Sequence, residues 1–229
     1  MTKKSTISKA VYFLIMLFVL SYLSGCATTK NTIIDSVITD AVAEAIAAAT
    51  EAYNVSGNTK YDIGDYQGAI ENYTKAIEMN SNYTNAYFRR GLCKFNLGDY
   101  SGAVEDYDSF IRIDPNDANA YYNRSLAKFN LGDYSGAVDD NTKAIEFDPN
   151  NANIYYNRGL AKFYLGDYRG TIVDNTEAIE IDPNYTNAYY NRGLAKYNLG
   201  RNDEACLDFQ KARALGNENA SQYIRICCQ

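Results

Sequence analysis

Two residue types are missing from this chain of 229 residues: it has no histidine and no tryptophan. Without histidine there is no Ser–His or Cys–His nucleophile pair and no histidine-ligated zinc site. The phosphate-cradling patterns GxxxxGK[ST] and GxGxxG are absent too. Five cysteines occur, none in a CxxC spacing. No metal and no cofactor is therefore expected. Positive charge is scarce: 22 Lys and Arg against 28 Asp and Glu give a net charge of −6, the wrong sign for a nucleic-acid partner. Carboxylates are plentiful, but they recur at fixed intervals, as structural residues do. A glycosidase-like carboxylate pair stays open on sequence alone, but the expectation is a protein that is not an enzyme and takes no small-molecule substrate.

Proline is also rare, and its placement is informative. The only three, Pro115, Pro149 and Pro183, stand 34 residues apart. The same interval separates AYFRRGLCKFNLGDY (from Ala86), AYYNRSLAKFNLGDY (from Ala120), IYYNRGLAKFYLGDY (from Ile154) and AYYNRGLAKYNLGRN (from Ala188). A worn copy carries IGDY at Ile63 to Tyr66. A fixed period of this size marks an array of supersecondary units. The units are 50–83 (degenerate), 84–117, 118–151, 152–185 and 186–219. Within 118–151 the apolar residues Tyr121, Tyr122, Leu126, Phe129 and Leu131 have roughly helical spacing. Gly132 ends that helix and Asp133 caps the next. The second helix runs to Phe147, where Asp148-Pro149 stops it.

The pattern resembles the tetratricopeptide repeat family over residues 50–219. The eighth position is small (Gly57, Gly91, Ser125, Gly159, Gly193), as is the twentieth (Ala69, Ala103, Ala137, Thr171, Ala205). The seventeenth is aromatic at Tyr66, Tyr100, Tyr134 and Tyr168. The resemblance implies an all-α, right-handed α-solenoid of about five helical hairpins with terminal capping helices. No unit can bury its apolar face alone, so neighbours stack.

Residues 1–25 read as a signal peptide: Lys3, Lys4 and Lys9 precede an apolar core, Val11 to Leu23, that is short for a membrane span. Leu23-Ser24-Gly25-Cys26 resembles the bacterial lipobox, which implies cleavage before Cys26 and its acylation. That makes 26–31 a lipid-anchored tether and places the chain at a bacterial cell envelope. Ala27 after the cysteine favours the outer membrane by the enteric sorting rule. An uncleaved anchor is the alternative. Residues 32–49 have the i, i+3, i+4 spacing of an N-terminal helix, either a cap on the first repeat or a self-association helix. The first helix of 50–83 holds Asn54, Ser56, Gly57, Asn58 and Thr59, poor helix formers that predict fraying. Residues 220–229 read as a C-terminal capping helix.

Cys93 and Cys206 occupy positions that are small or apolar in the other repeats, so both read as core. Cys227 and Cys228 are adjacent, a strained arrangement for pairing with each other, which leaves an intermolecular disulfide open.

Two rows carry the functional reading. The seventh position is Arg90, Arg124, Arg158 and Arg192, and the twenty-third is Asp106, Asp140, Asp174 and Asp208; the degenerate repeat has Ser56 and Asn72. Both residues change together, which predicts ion pairs joining the two helices of a unit. A row of arginines facing an acidic ligand is the alternative. By the family resemblance, first helices line a concave groove, so Asn85, Asn119, Asn153 and Asn187 with Phe88, Tyr122, Tyr156 and Tyr190 are candidate partner contacts. Inter-repeat core is the competing reading of the aromatic row. Phe88 and Leu92 stand where repeats that grip acidic chaperone tails carry lysine and asparagine, so that ligand is not implied. The implied function is a scaffold or adaptor for a protein or peptide partner. The alternatives are a pilotin-like envelope assembly or secretion chaperone, a self-associating structural protein and, more weakly, a glycan binder.

Overall fold

A computed structural model describes residues 30–228, with side-chain environments from residue 36. Eleven helices and no strand occur among the described residues. The segment 1–25, read as a signal peptide, and Cys26, read as an acylation site, lie outside them. The chain divides into two compact units, Met1–Cys93 and Lys94–Gln229.

The first unit holds α1 (Lys30–Asp62), α2 (Tyr66–Met79) and most of α3 (Thr84–Asn96). Three expectations need correction here. Lys30 and Asn31, read as tether, already belong to α1. The separate helix 32–49 does not exist as such, because α1 runs on through residue 50 to Asp62 over 33 residues. The fraying expected at 54–59 is absent. Packing accounts for this. Thr50 Oγ1 donates to the Ile46 carbonyl at 2.8 Å across the expected break. Asn54 and Gly57 are buried. Gly57 is there because the Tyr73 ring lies against it: a Cβ would fall 2.6 Å from Tyr73 Cε1. The Tyr73 hydroxyl donates to Asn58 Oδ1 at 2.8 Å. Weak propensity costs about 0.5–1 kcal/mol per residue, and tertiary burial of an apolar face exceeds that. Around Tyr73 the core comprises Ala69, Ala76, Ala86 and Cys93.

The second unit continues with α4 (Tyr100–Ile113), then three hairpins: α5 (Ala118–Asn130) with α6 (Tyr134–Phe147), α7 (Ala152–Tyr164) with α8 (Tyr168–Ile181), and α9 (Thr186–Asn198) with α10 (Asn202–Ala214). The turn inside the first two of these hairpins follows from three residues; in the third, Arg201 replaces the aspartate and makes no side-chain cap. At the α5–α6 turn, Gly132 takes φ 81°, a conformation that L side chains rarely adopt, and its N–H reaches the Phe129 carbonyl at 3.0 Å. Asp133 N–H donates to the Lys128 carbonyl at 2.9 Å, and its Oδ1 accepts from Gly136 N–H at 2.9 Å. One residue thus closes one helix and caps the next. At the far end, Asp148 N–H donates to the Ala144 carbonyl at 2.8 Å, and Pro149 prevents a further turn.

The C-terminal helix α11 (Ala220–Cys227) begins 34 residues after α9 does. It stands where a sixth unit would place its first helix. Tyr223 is in register with Tyr121, Tyr155 and Tyr189, and buried Cys227 with Ser125, Gly159 and Gly193. The Tyr223 ring stacks on Phe209 at 4.8 Å and closes the apolar cluster of α10. Cys228 is bonded to Cys206 within the chain, Cα to Cα 5.4 Å. Cys206 lies in the core cluster as its repeat position implies, and the bond gives Cys228 an intramolecular partner. Cys93 and Cys227 are buried.

Candidate partner-binding face

Positions two, five and nine of a first helix share one side, since residues three and four apart meet on a helix. In the second unit α5 touches α7 and α7 touches α9, so their rows run side by side. Asn119, Asn153 and Asn187 are exposed; Tyr122, Tyr156 and Tyr190 are half-buried, as are Leu126, Leu160 and Leu194. In the first unit Asn85 is exposed and Phe88 half-buried.

The tyrosine row is partly knitted into the array. Asn157 Nδ2 donates to the Tyr122 hydroxyl at 3.1 Å and to the Asn153 carbonyl at 2.8 Å. Tyr185, from the loop after α8, donates its hydroxyl to Asn153 Oδ1 at 2.7 Å, and its ring lies 5.2 Å from that of Tyr156. The same link ties Tyr83 to Glu51 at 2.6 Å in the first unit. Tyr190 meets Tyr223 of α11 at 5.9 Å. Asn191, the counterpart of Asn157, is 3 % exposed and its Nδ2 has no acceptor. Core and surface readings of the aromatic row therefore both describe part of each ring. Burial raises the pKa of Tyr122, Tyr156, Tyr185 and Tyr190 above the usual phenol value, so these hydroxyls stay protonated and neutral.

Helices α5, α7 and α9 carry no carboxylate at all. Their charges are one arginine and one lysine each, and both turn to the paired second helix. Arg124 Nε and Nη2 donate to Asp140 Oδ2 and Oδ1 at 2.9 and 2.6 Å. Lys128 Nζ lies 2.9 Å from the same carboxylate. Arg158 and Lys162 hold Asp174 at 2.7–3.0 Å, and Arg192 and Lys196 hold Asp208 in the same way. Lys94 pairs with Asp106 at 2.9 Å. The lysine row was not singled out from sequence, though it is as periodic as the arginines.

Each arginine also reaches backwards. Arg124 Nη1 donates to Asp108, Arg158 Nη1 to Thr142 and Arg192 Nη1 to Thr176, all in the preceding unit; Arg90 Nη1 likewise donates to Thr74. The guanidinium carbons of Arg124, Arg158 and Arg192 stand 5.4–5.6 Å over the rings of Tyr121, Tyr155 and Tyr189. Burial works against the charge of Arg124, but Asp140 and Asp108 outweigh it and hold its pKa above the ordinary value. With Nε, Nη1 and Nη2 all engaged, these three arginines are not a row facing an acidic ligand. Among the described residues no cluster of His, Cys, Asp or Glu could hold a metal.

Family models described as TPR repeat match residues 57–98, 94–132 and 126–166, and models described as tetratricopeptide repeat match 152–185 and 176–206. The chain belongs to the tetratricopeptide repeat family. Among solved structures, a crystal structure of MamA is 30% identical, covering 72% of this chain and 96% of its own, with TM-score 0.69. MamA from Desulfovibrio magneticus RS-1, from residue 41 to its end, is 21% identical (73% and 94% coverage, TM-score 0.70). YrrB, described as a TPR protein with an unusual peptide-binding site, is 18% identical (76% and 90%, TM-score 0.69) and shares the fold. No curated relative matches. The hairpins of this tetratricopeptide protein thus recur as a fold in both neighbours.

Proposed function

We propose that this tetratricopeptide protein is a non-enzymatic scaffold for protein interaction, tethered to a bacterial cell envelope through an acylated Cys26. The partner, a peptide or protein segment, lies across the first-helix face of the second unit, on Asn119, Tyr122, Asn153, Tyr156, Asn187 and Tyr190. One observation carries the reading: that face has no carboxylate and no unpaired cation, in a chain of net charge −6. It offers amides that donate and accept, neutral phenols, and leucine side chains. Such a surface fits uncharged polypeptide backbone and penalises a charged ligand. The YrrB likeness supports the fold as a peptide-binding frame. No described helix is long and apolar enough to cross a membrane; attachment in this reading is through the lipid on Cys26. The Cys206–Cys228 bond supports an oxidising location, since such bonds persist outside the cytosol.

The test is capture from envelope extract with the immobilised chain, beside a folded Tyr122→Ala/Tyr156→Ala/Tyr190→Ala variant. A protein held by the parent and lost by the variant supports the face. Equal capture, or none, removes it and brings self-association forward, which light scattering across concentrations detects. Separately, Cys26→Ser should move the chain from the membrane to the soluble fraction; unchanged partition overturns the lipid tether.

A further inference from the structure

The two cysteines at the C-terminus are treated differently by the fold. Residues 227 and 228 are adjacent, so their side chains leave α11 about 100° apart. Cys227 takes the small-residue position of a first helix and is 6 % exposed, packed in the cluster with Phe209 and Ala212. Burial raises the pKa of its thiol above the ordinary value, which keeps it protonated and a poor nucleophile. Cys228 is half-buried at the helix end and faces Cys206 of α10. Cys206 is 9 % exposed and stands where the other units have Ile70, Val104, Val138 and Ile172. Gln210 Nε2 lies 3.3 Å from Cys206 Sγ and 3.7 Å from Cys228 Sγ.

We propose that Cys206–Cys228 is an oxidative modification site which takes a small or protein disulfide as its oxidant, with Cys228 as the attacking thiol and Cys206 as the resolving one. The bond locks α11, which is in register with the first helices, onto the last hairpin. The more exposed Cys228 loses its proton and attacks one sulfur of the oxidant, releasing one thiolate. Cys206, deprotonated in turn, attacks Cys228 Sγ of the mixed disulfide and expels the second thiolate. Two protein thiols lose two protons and two electrons; the oxidant disulfide becomes two thiols. Every other first helix of the second unit that opens a hairpin is held by an Asp on its own second helix. Among the described residues α11 has no such helix, and Ile226 stands where the arginine would be, 54 % exposed. The covalent bond takes the place of the missing charge cluster. It also fixes Tyr223 against Tyr190, so the last position of the binding face is completed only in the oxidised chain.

The test uses the full chain, purified reduced and then exposed to oxidised glutathione, followed by alkylation, trypsin digestion and mass spectrometry. The expected product links the peptide 202–211 to the peptide 226–229 within one chain. Cys227→Ser should retain the link and Cys228→Ser should lose it. An equal link in Cys228→Ser, a stable glutathione adduct without closure, or a link between two chains overturns the assignment. Amide hydrogen exchange reads the lock itself. Reduction should speed exchange at Tyr223 to Cys227 about hundredfold, the scale expected for opening a loop of this length, with α5 to α8 unchanged. Unchanged exchange in α11 would show that the cap holds without the bond. None of these readouts depends on the partner or on the membrane tether.

Discussion

The α1–α2 hairpin and the α7–α8 hairpin have the same turn and the same small residue at the point of closest approach, yet only one has a charge cluster. In the first, Ser56 and Asn72 replace the pair, and Asn72 Nδ2 satisfies itself on the Gly68 carbonyl at 3.1 Å. In the second, Asp174 is wholly buried under Arg158 and Lys162. The difference shows that the cluster is not what brings two helices of a hairpin together. Its arginine has a second contact, the hydroxyl or carboxylate of the unit before it. Among the described residues no hairpin stands before the repeat that lacks the arginine. The cluster is a joint between units, anchored inside one of them.

The sharpest break of that comparison is Asp174→Ala. It strands two cations with side chains 16 % and 20 % exposed, and unfolding in urea should show a loss of about 3–5 kcal/mol. A loss no larger than that of Asn72→Ala would mean the cluster is ornamental. Arg124→Met with Asp140→Asn should cost less together than the sum of the singles; strict additivity argues against a coupled pair. Next comes the close approach. In Gly193→Ser the new Cβ meets Phe209 Cε1 at 2.8 Å, for an expected loss of about 1–3 kcal/mol. Gly159→Ser meets the end of the Asn175 amide at 2.7 Å and Asp174 Cβ at 3.2 Å and copies Ser125, so its melting temperature should fall less.

High pH attacks both units. Burial, with the bond to Glu51, raises Tyr83 to about 12 from 10.0, and burial raises Tyr122, Tyr156 and Tyr185. Above pH 10 the unfolded chain therefore loses protons that the folded chain keeps. Stability is fully present below that pH and falls as pH climbs toward the folded values. Phenolate absorbance should rise together with loss of helix; ionisation that precedes unfolding would show the rings to be solvated. Asp108→Asn should cost under about 1 kcal/mol, being a half-exposed contact. The smallest effect is expected from Ser56→Arg with Asn72→Asp, within about 0.5 kcal/mol of the parent, because a buried pair roughly breaks even against its own desolvation. A large gain there would place the benefit inside the hairpin after all.

Much of this was legible in the chain. The period, the Leu-Gly-Asp turn and the proline stops are local signals, and local signals survive without coordinates. The paired loss of Arg and Asp in the first repeat pointed to their meeting. What escaped depends on contacts between elements. Asn54 to Thr59 look like a helix breaker until the ring of Tyr73 covers Gly57. Lys128 recurs as faithfully as Arg124, but period alone does not say which carboxylate it meets. Thr142 and Asp108 share no chemistry by name, and only a guanidinium between units makes them equivalent. Cys228 found its partner 22 residues back, a pairing that spacing could not rank.

That equivalence of Thr142, Thr176 and Asp108 has a consequence for how such a chain changes over generations. The contact each unit asks of the one before it is generic: any acceptor at one position suffices. A unit of 34 residues can then be duplicated or lost by unequal recombination between near-identical gene segments, and every remaining joint still closes. The length of the array is free to drift in whole steps, while point changes inside a joint are not.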